Sequence, residues 1–263
     1  MNDWLERARR AATAAPARPR VALVLGADDA AHVIGSIEPT VAEAMRAAGL
    51  PLRAWESGYR VEGPGDAALA AIARWLHEER VVTHWRGERL DVVDAAGRGV
   101  GVVERAVVRV LGIATQAVHL VGFAEGEGAV WAQQRAFDKP TDPGRWDTLM
   151  GGQVTTGESI AMTLERETME EAGLALADLR RLERAAPIAI RRPVAEGYMI
   201  ERIEVFRAVV PTGVEPANRD GEVERFECLD PATLVARLRA DEFTLEATLI
   251  LGAELERRAR APG

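Results

Sequence analysis

Between Gly151 and Leu174 the chain reads GGQVTTGESIAMTLERETMEEAGL, and the register of glycines and acids in this stretch restricts the fold more than any other. Five residues separate Gly152 from Glu158, seven more separate Glu158 from Arg166, and Glu167, Glu170, Glu171, Gly173 and Leu174 complete the pattern. Gly157 and Ser159 supply a turn and an N-cap, no proline or glycine interrupts Ile160 to Ala172, and Gly173 fits the residue that ends a helix. The spacing therefore predicts a helix.

On that helix Glu167 and Glu171 stand four apart and Glu170 stands three from Glu167, so three carboxylates gather on adjoining parts of one face. Like charges so placed repel by about a few tenths of a kcal/mol per pair, and a bound divalent cation would reverse the sign. Hard oxygen donors without histidine or cysteine suit Mg²⁺ or Mn²⁺ rather than zinc. Arg166 can pair with Glu170 and hold the helix against the preceding loop. The bland alternative is a solvated acidic face laced with internal ion pairs.

The register resembles the box of the Nudix superfamily. That resemblance implies an α+β fold, the Nudix α/β/α sandwich, and hydrolysis of a diphosphate linked to a further group. By match, Glu167 and Glu171 bind metal together with Glu170 and the backbone carbonyl of Gly151. Substrate phosphates complete the shell, and water attacks one phosphorus. One position departs from the pattern: Thr168 stands where the family carries a bulky aliphatic residue, and it falls with Ala161, Leu164 and Ala172 on the expected core side. The general base stays open among Glu170, Glu158 and an acid beyond the box. The later candidates are Glu222 and Glu224 in NRDGEVERFECL and Glu201 or Glu204 in MIERIEVF, with Glu222 preferred for its glycine-containing loop before an apolar strand. Each of these is as readily an ordinary surface carboxylate.

With 263 residues and 48% hydrophobic content the chain has room for two modest domains. A net charge of −8 argues against a nucleic-acid partner and leaves a small diphosphate acceptable. One cysteine, Cys228, excludes an intrachain disulfide framework, suits a reducing cytoplasm, and reads as a buried apolar filler. No window is long and apolar enough for a membrane helix. The opening MNDWLERARRAATAAPARPR lacks the apolar stretch of a targeting peptide and contains Asp3 and Glu6, so it reads as an amphipathic helix at the entrance to the first domain. His32, His77, His84 and His119 show no metal spacing.

Hydrophobic patterning places a boundary near residue 112. Residues 1–112 read as mixed α/β: a strand at VALVLG, helices at VAEAMRAAGL and DAALAAIARWLHEERV, and strands at ERLDVVD and VGVVERAVVRVLG. This segment is expected to serve substrate recognition or dimerisation. Residues 113–263 open with a hairpin, AVHLVGFA and AVWAQQRA around a turn at Glu125 to Gly128. Strands at APIAIRR and MIERIEVFRAVV follow the box, then a helix opened by Asp230-Pro231 and a last amphipathic helix from about Thr244 to Arg260.

Outside the box, DKPTDPGRWDTLMGGQV resembles the Nudix proteins related to thiamine pyrophosphokinase, and HWRGERLDVVD, VVERAVVRVLGI and AVHLVGF resemble the domain of unknown function that precedes the box in that subgroup. The subgroup implies clean-up of thiamine diphosphate or its oxidised analogues to the monophosphate. Such a ligand needs an aromatic or apolar slot, for which Trp85, Trp146 and Tyr198 are candidates. It also needs cations for phosphate, for which Arg135, Lys139, Arg191 and Arg192 are candidates, Lys139 and Arg135 first because they lead into the box. A lone tryptophan is equally a core residue, and an arginine pair on a strand is equally a solvated face. Three other readings compete. ADP-ribose or a dinucleotide could be the substrate. An isopentenyl-diphosphate isomerase would need a cysteine where Met150 and Gly151 stand. A non-catalytic binding module would be expected to have lost box acids that this chain retains.

Overall fold

The computed structural model describes residues 3–26, 31–126 and 128–260. In chain order its elements are α1 (Asp3–Ala12), β1 (Val21–Leu25), β2 (His32–Ile37), α2 (Pro39–Ala47), β3 (Leu52–Trp55), β4 (Gly58–Val61), α3 (Gly65–Glu78), β5 (Arg89–Val93) and β6 (Gly99–Glu104). The remainder are β7 (Ala114–Ala124), β8 (Val130–Arg135), β9 (Trp146–Asp147), β10 (Met150–Gln153), α4 (Ile160–Ala172), β11 (Arg180–Arg184), β12 (Ile188–Val194), β13 (Gly197–Val210), β14 (Val223–Leu229), α5 (Pro231–Arg239) and α6 (Leu245–Arg260).

The larger sheet runs β11-β13-β7-β8-β14, with β10 on β7, β12 on β13 and β9 on β8. Its centre is the parallel pair β7 and β13, in register from Ala114 opposite Ile200 to Ala124 opposite Val210. Both strands carry buried apolar residues on two faces because both faces are covered. Ala117, Val121 and Phe123 of β7 and Ile203 and Val205 of β13 pack with α1, α5 and α6. Val118 and Leu120 of β7 and Ala208 and Val210 of β13 pack beneath α4. A period of two thus divides one strand between two cores. The layers are helices, sheet, helix, which is the expected α+β sandwich.

The first unit has its own core. β2-β1-β4-β3 form a sheet, β5 and β6 a hairpin, and Leu23, Ile37, Met45, Leu69, Ile72 and Leu76 are fully buried among them. Backbone hydrogen bonds tie the units together: Thr156 N–H to Arg89 O at 2.8 Å and Tyr198 N–H to Arg109 O at 2.9 Å. The loop leading into α4 is therefore fastened to β5 of the first unit.

Three expectations need correction. The opening helix does not sit at the entrance to the first domain: Trp4, Leu5, Ala8 and Ala12 form an apolar stripe buried in the second unit's core, with Leu5 seated against Gly252 of α6 and Arg9 bonded to Glu256 at 2.8 Å. The run VGVVERAVVRVLG is not one strand. It stops at Glu104, whose side chain caps a 3₁₀ turn at Arg105–Val107, accepting from Ala106 N–H. Strand β11 was not anticipated; all five of its residues are exposed, so it carries no buried apolar face for a sequence pattern to reveal. Glu127, in the turn expected at Glu125 to Gly128, lies outside the described residues. Among the described residues no helix is long and apolar enough to cross a membrane.

Candidate active site

The acidic helix forms where the spacing placed it. Ser159 Oγ accepts from Met162 N–H, and Gly173, at φ 65°, ends α4 in the left-handed region. On the core side Leu164, Thr168 and Ala172 are buried, whereas Ala161 is exposed; Thr163 and Glu171 are the helix's other buried residues. Thr168 costs the core no unpaired hydroxyl, because Oγ1 donates to Leu164 O at 2.6 Å.

The glycines before the helix make room for two side chains, Gly151 for the His119 ring and Gly152 for Glu167. β10 pairs with β7, Gly151 opposite His119 and Gly152 opposite Val118. A Cβ on Gly152 would overlap the Glu167 carboxyl group, so only glycine lets that carboxylate lie against the strand. Glu171 is 2% exposed; its Oε2 accepts from Gly151 N–H at 3.0 Å and from Gln133 Nε2 at 2.9 Å. Burial pushes the Glu171 carboxyl up to about 8, against the hydrogen bond from Gly151. Burial likewise pushes Glu167 up to about 7, against the nearby Arg166. One buried and one partly buried carboxylate on the same helix face, with too little positive charge to keep both ionised, are a donor set that a divalent cation fits. Both protein hydrogen bonds to Glu171 fall on Oε2, which leaves Oε1 for a ligand.

Glu170 does not join this pair. Its side chain is half exposed and bonds Arg166 at 2.9 Å. Among the described residues no three His, Cys, Asp or Glu side chains are arranged to hold one ion. Arg166 is the organiser: it reaches Glu158 through Nε at 2.6 Å and Nη2 at 2.8 Å, and Glu167 and Glu170 through Nη1 at 2.9 Å each. Glu158 is thereby held at about 2, chiefly by the Arg166 hydrogen bonds, and also accepts from Thr163 Oγ1 at 3.0 Å. A carboxylate so committed and so acidic is unsuited to take a proton. Glu158 is a brace for the loop, which corrects its candidacy as base.

Beside β10 opens a cleft of about 590 Å³ whose walls come from both units: Thr83, His84, Arg86, Glu88, Arg105 and Arg109 from the first; His119, Arg135, Lys139, Asp147, Gly151, Gly152, Glu201, Glu222 and Glu246 from the second. Lys139 Nζ bonds the Glu222 carboxylate. Burial works against the Glu222 charge, but Lys139, with Arg105 and Arg135 nearby, more than offsets it and leaves the carboxyl below its ordinary range. Lys139 also acts on Glu171 and Glu222 on Glu167, which couples the cleft to the acidic helix. The far end is acidic: burial, then the neighbouring Glu201 and Asp147, raise Glu246 to about 7. His119 donates or accepts with Thr148 Oγ1 at 2.9 Å, and burial lowers its proton affinity despite Asp147.

Several candidates lie elsewhere. Trp146 is 4% exposed in the core, with Arg237 and Arg225 over its ring at 4.5 and 5.4 Å to the centroid. Trp85 is 44% exposed, packs on His77 and is not in the cleft wall, although His84 and Arg86 on either side of it are. Tyr198 spends its hydroxyl on Ala14 O at 3.0 Å. Arg191 is exposed on β12 and Arg192 faces a separate hollow beside α1, so neither reaches the cleft. Glu204 is buried between Arg184 and Arg202, and Glu224 is exposed. Cys228 is exposed rather than buried. Conversely, sequence reading passed over Gln133, Asp147, Glu246, Arg86 and Arg105. Of these only Gln133 left a signal, in the two adjacent amides that interrupt the apolar strand AVWAQQRA.

Comparison with known proteins decides the family. The NUDIX domain pattern matches residues 114–248, just over half of the 263-residue chain. The chain belongs to the Nudix family. Nudix hydrolase 20, chloroplastic, of Arabidopsis thaliana is 29% identical over 184 residues, 67% of this chain and 48% of that protein. Nudix hydrolase 24, chloroplastic, of the same plant is 30% identical over 148 residues, 54% of this chain and 39% of that protein. The Nudix chain thus spans half or less of the length of these curated relatives. The solved structure of DR0079 from Deinococcus radiodurans is 23% identical with a TM-score of 0.51, covering 66% of this chain and all of that one, a likeness of fold.

Proposed function

We propose that this Nudix chain is a metal-dependent diphosphohydrolase that cleaves the diphosphate of a small molecule. The observation that carries this reading is the pair Glu167, partly buried against Gly152, and Glu171, buried against Gly151, with carboxyls raised to about 7 and about 8. Acids withdrawn from water without a charge-compensating role are costly, and Gly152 is the residue that admits Glu167. Hard oxygen donors favour Mg²⁺ or Mn²⁺. When bound, such an ion would neutralise phosphoryl charge and acidify the attacking water.

The chain's own groups do the rest. Arg166 fixes Glu167 on the helix while Glu158 fixes Arg166. Lys139 faces the cleft, where a diphosphate would draw it away from Glu222. Released from Lys139, Glu222 becomes more basic and can take the proton of the attacking water at its free carboxylate oxygen. Glu170, which like Glu167 and Glu171 is not among the residues lining the cleft, is the alternative acceptor.

For substrate we favour thiamine diphosphate or its oxidised analogues, cleaved to the monophosphate. The segments whose sequence resembles the subgroup related to thiamine pyrophosphokinase, 84–94 and 102–113, supply His84, Arg86, Glu88, Arg105 and Arg109 to the cleft. The acidic end at Asp147, Glu201 and Glu246 suits a cationic thiazolium ring, which would rest on Ile113, Met199 and Ile200 in place of the expected aromatic slot. On this reading residues 13–112 form a substrate-recognition unit and 113–263 the Nudix domain, braced by α1. The single cysteine favours a reducing cytoplasm as its setting.

Turnover of oxothiamine diphosphate, thiamine diphosphate, ADP-ribose and NADH with Mg²⁺ and with Mn²⁺ tests the substrate; faster turnover of ADP-ribose than of every thiamine compound would overturn it. Glu171→Gln tests the chemistry. Its turnover of any diphosphate should fall by about two orders of magnitude or more, and undiminished phosphate release would refute the assignment.

A further inference from the structure

The first unit contributes three arginines to the lining of the cleft, and one of them lacks an acid partner of its own. Arg105 pairs with Glu88 at 2.6 Å and Arg109 with Glu196 at 3.7 Å. Lys139, also in the cleft lining, already takes Glu222. Arg86 has no hydrogen-bond or ion-pair partner for its guanidinium among the described residues, although it lines the cleft within reach of the charges of Arg105 and Arg109. An arginine without a partner of its own, set beside two others, leaves guanidinium donors free for an anion.

The loop that carries Arg86 is built to hold it there. The buried carboxylate of Glu104 accepts through Oε1 from Arg86 N–H at 3.1 Å, from Gly87 N–H at 3.2 Å and from Ala106 N–H at 3.4 Å. One carboxylate oxygen thus ties the backbone beside Arg86 to the turn that begins at Arg105. Both guanidinium groups are set on fixed backbone before any ligand arrives, which lowers the ordering cost of binding. Burial and the charge of Arg105 depress the proton affinity of Arg86, as expected where cations have been crowded in advance.

We propose that Arg86, Arg105 and Arg109 form a phosphoryl-binding clamp, through which the first unit holds the diphosphate of the substrate in the cleft that Lys139 also lines. Guanidinium is the suitable group, since its planar fork meets two phosphoryl oxygens at once while lysine offers a point charge. The clamp deepens the diphosphohydrolase reading and rests on it for the identity of the ligand. It gives the first unit a direct part in binding, so the Nudix domain alone would hold its substrate weakly.

The test measures binding without chemistry. The full chain, kept in EDTA, is titrated calorimetrically with methylenediphosphonate, a diphosphate analogue that cannot be hydrolysed. Wild type binds, and Arg86→Ala raises Kd by about tenfold, the loss of one charge-assisted contact. Arg53→Ala, which removes an equal charge from β3 of the same unit, leaves Kd unchanged. In turnover with metal present, the Arg86→Ala defect falls on KM rather than kcat. Arg86 is exposed and unpaired, so the variant keeps its fold. The clamp is refuted if wild type does not bind the phosphonate in EDTA, if Arg86→Ala binds like wild type, or if Arg53→Ala weakens binding equally. Glu171→Gln separates the two ideas: phosphonate binding unchanged with turnover lost supports both, whereas turnover retained sinks the hydrolase and leaves the clamp to be judged on Kd.

Discussion

Removing the Glu171 charge should stabilise the metal-free protein while abolishing its chemistry. An acid whose folded pKa is raised from 4.5 to about 8 binds a proton more tightly in the folded chain than in the unfolded one. The stability it confers is therefore fully present below pH 4.5 and is lost as pH climbs towards 8. At about 1.4 kcal/mol per tenfold in proton affinity, the whole effect is at most roughly 5 kcal/mol. Relaxation and water entry reduce it, so we expect about 2 to 3 kcal/mol at pH 8. Glutamine is close to isosteric: its carbonyl can replace Oε2 in accepting from Gly151 N–H and Gln133 Nε2, so the hydrogen bonds survive. Glu171→Gln should thus raise Tm in EDTA at pH 8 by roughly 5 to 10 °C for a chain of this size, and the advantage should vanish by pH 5. Urea midpoints across that pH range give the same quantity at fixed temperature. Mg²⁺ should stabilise wild type and not the variant, because only the former binds it in the folded state. Superimposable midpoints at pH 8, or an advantage that persists at pH 5, would refute the view that burial of this carboxylate is held in reserve for a cation.

Gly152→Ala should displace the Glu167 carboxylate, because the new Cβ occupies its place. The expected result is a loss of kcat of about a hundredfold or more with a native circular dichroism spectrum; wild-type turnover would refute the argument. Glu158→Gln should act on the other limb of the pH profile. Arg166 depresses Glu158 to about 2, so its stabilisation is present above pH 4.5 and lost as pH falls towards 2. The variant should be less stable at pH 7 by about 1 to 3 kcal/mol and should show a flatter acid limb in urea titrations; an unchanged acid limb would mean the brace contributes nothing.

The box helix was legible because its determinants are local. Ser159 caps, Gly173 terminates, and the spacing of Glu167 and Glu171 follows from the helix repeat alone. Thr168 was legible only as a departure; its harmlessness depends on a hydrogen bond to Leu164 that composition cannot reveal. The aromatic candidates failed for a different reason. Trp146 and Tyr198 are amphipathic side chains whose surroundings, two arginines in one case and a backbone carbonyl in the other, are brought up from distant positions. The opening helix was recognised from its apolar stripe, but a stripe does not say which surface it covers, and α6 supplied it from the opposite end of the chain.

By itself the sequence determined the Nudix register, the acidic helix, the strands of the sandwich and the hard-oxygen chemistry open to its carboxylates, since each rests on spacing within a few turns of backbone. Only the tertiary structure decided which carboxylates are buried, that Glu158 is a brace, and that the cleft has walls from both units with Arg86 and Lys139 both lining it. The physical reason is that burial and charge pairing depend on what other segments bring to the same point, and pKa, access and binding follow from those neighbours.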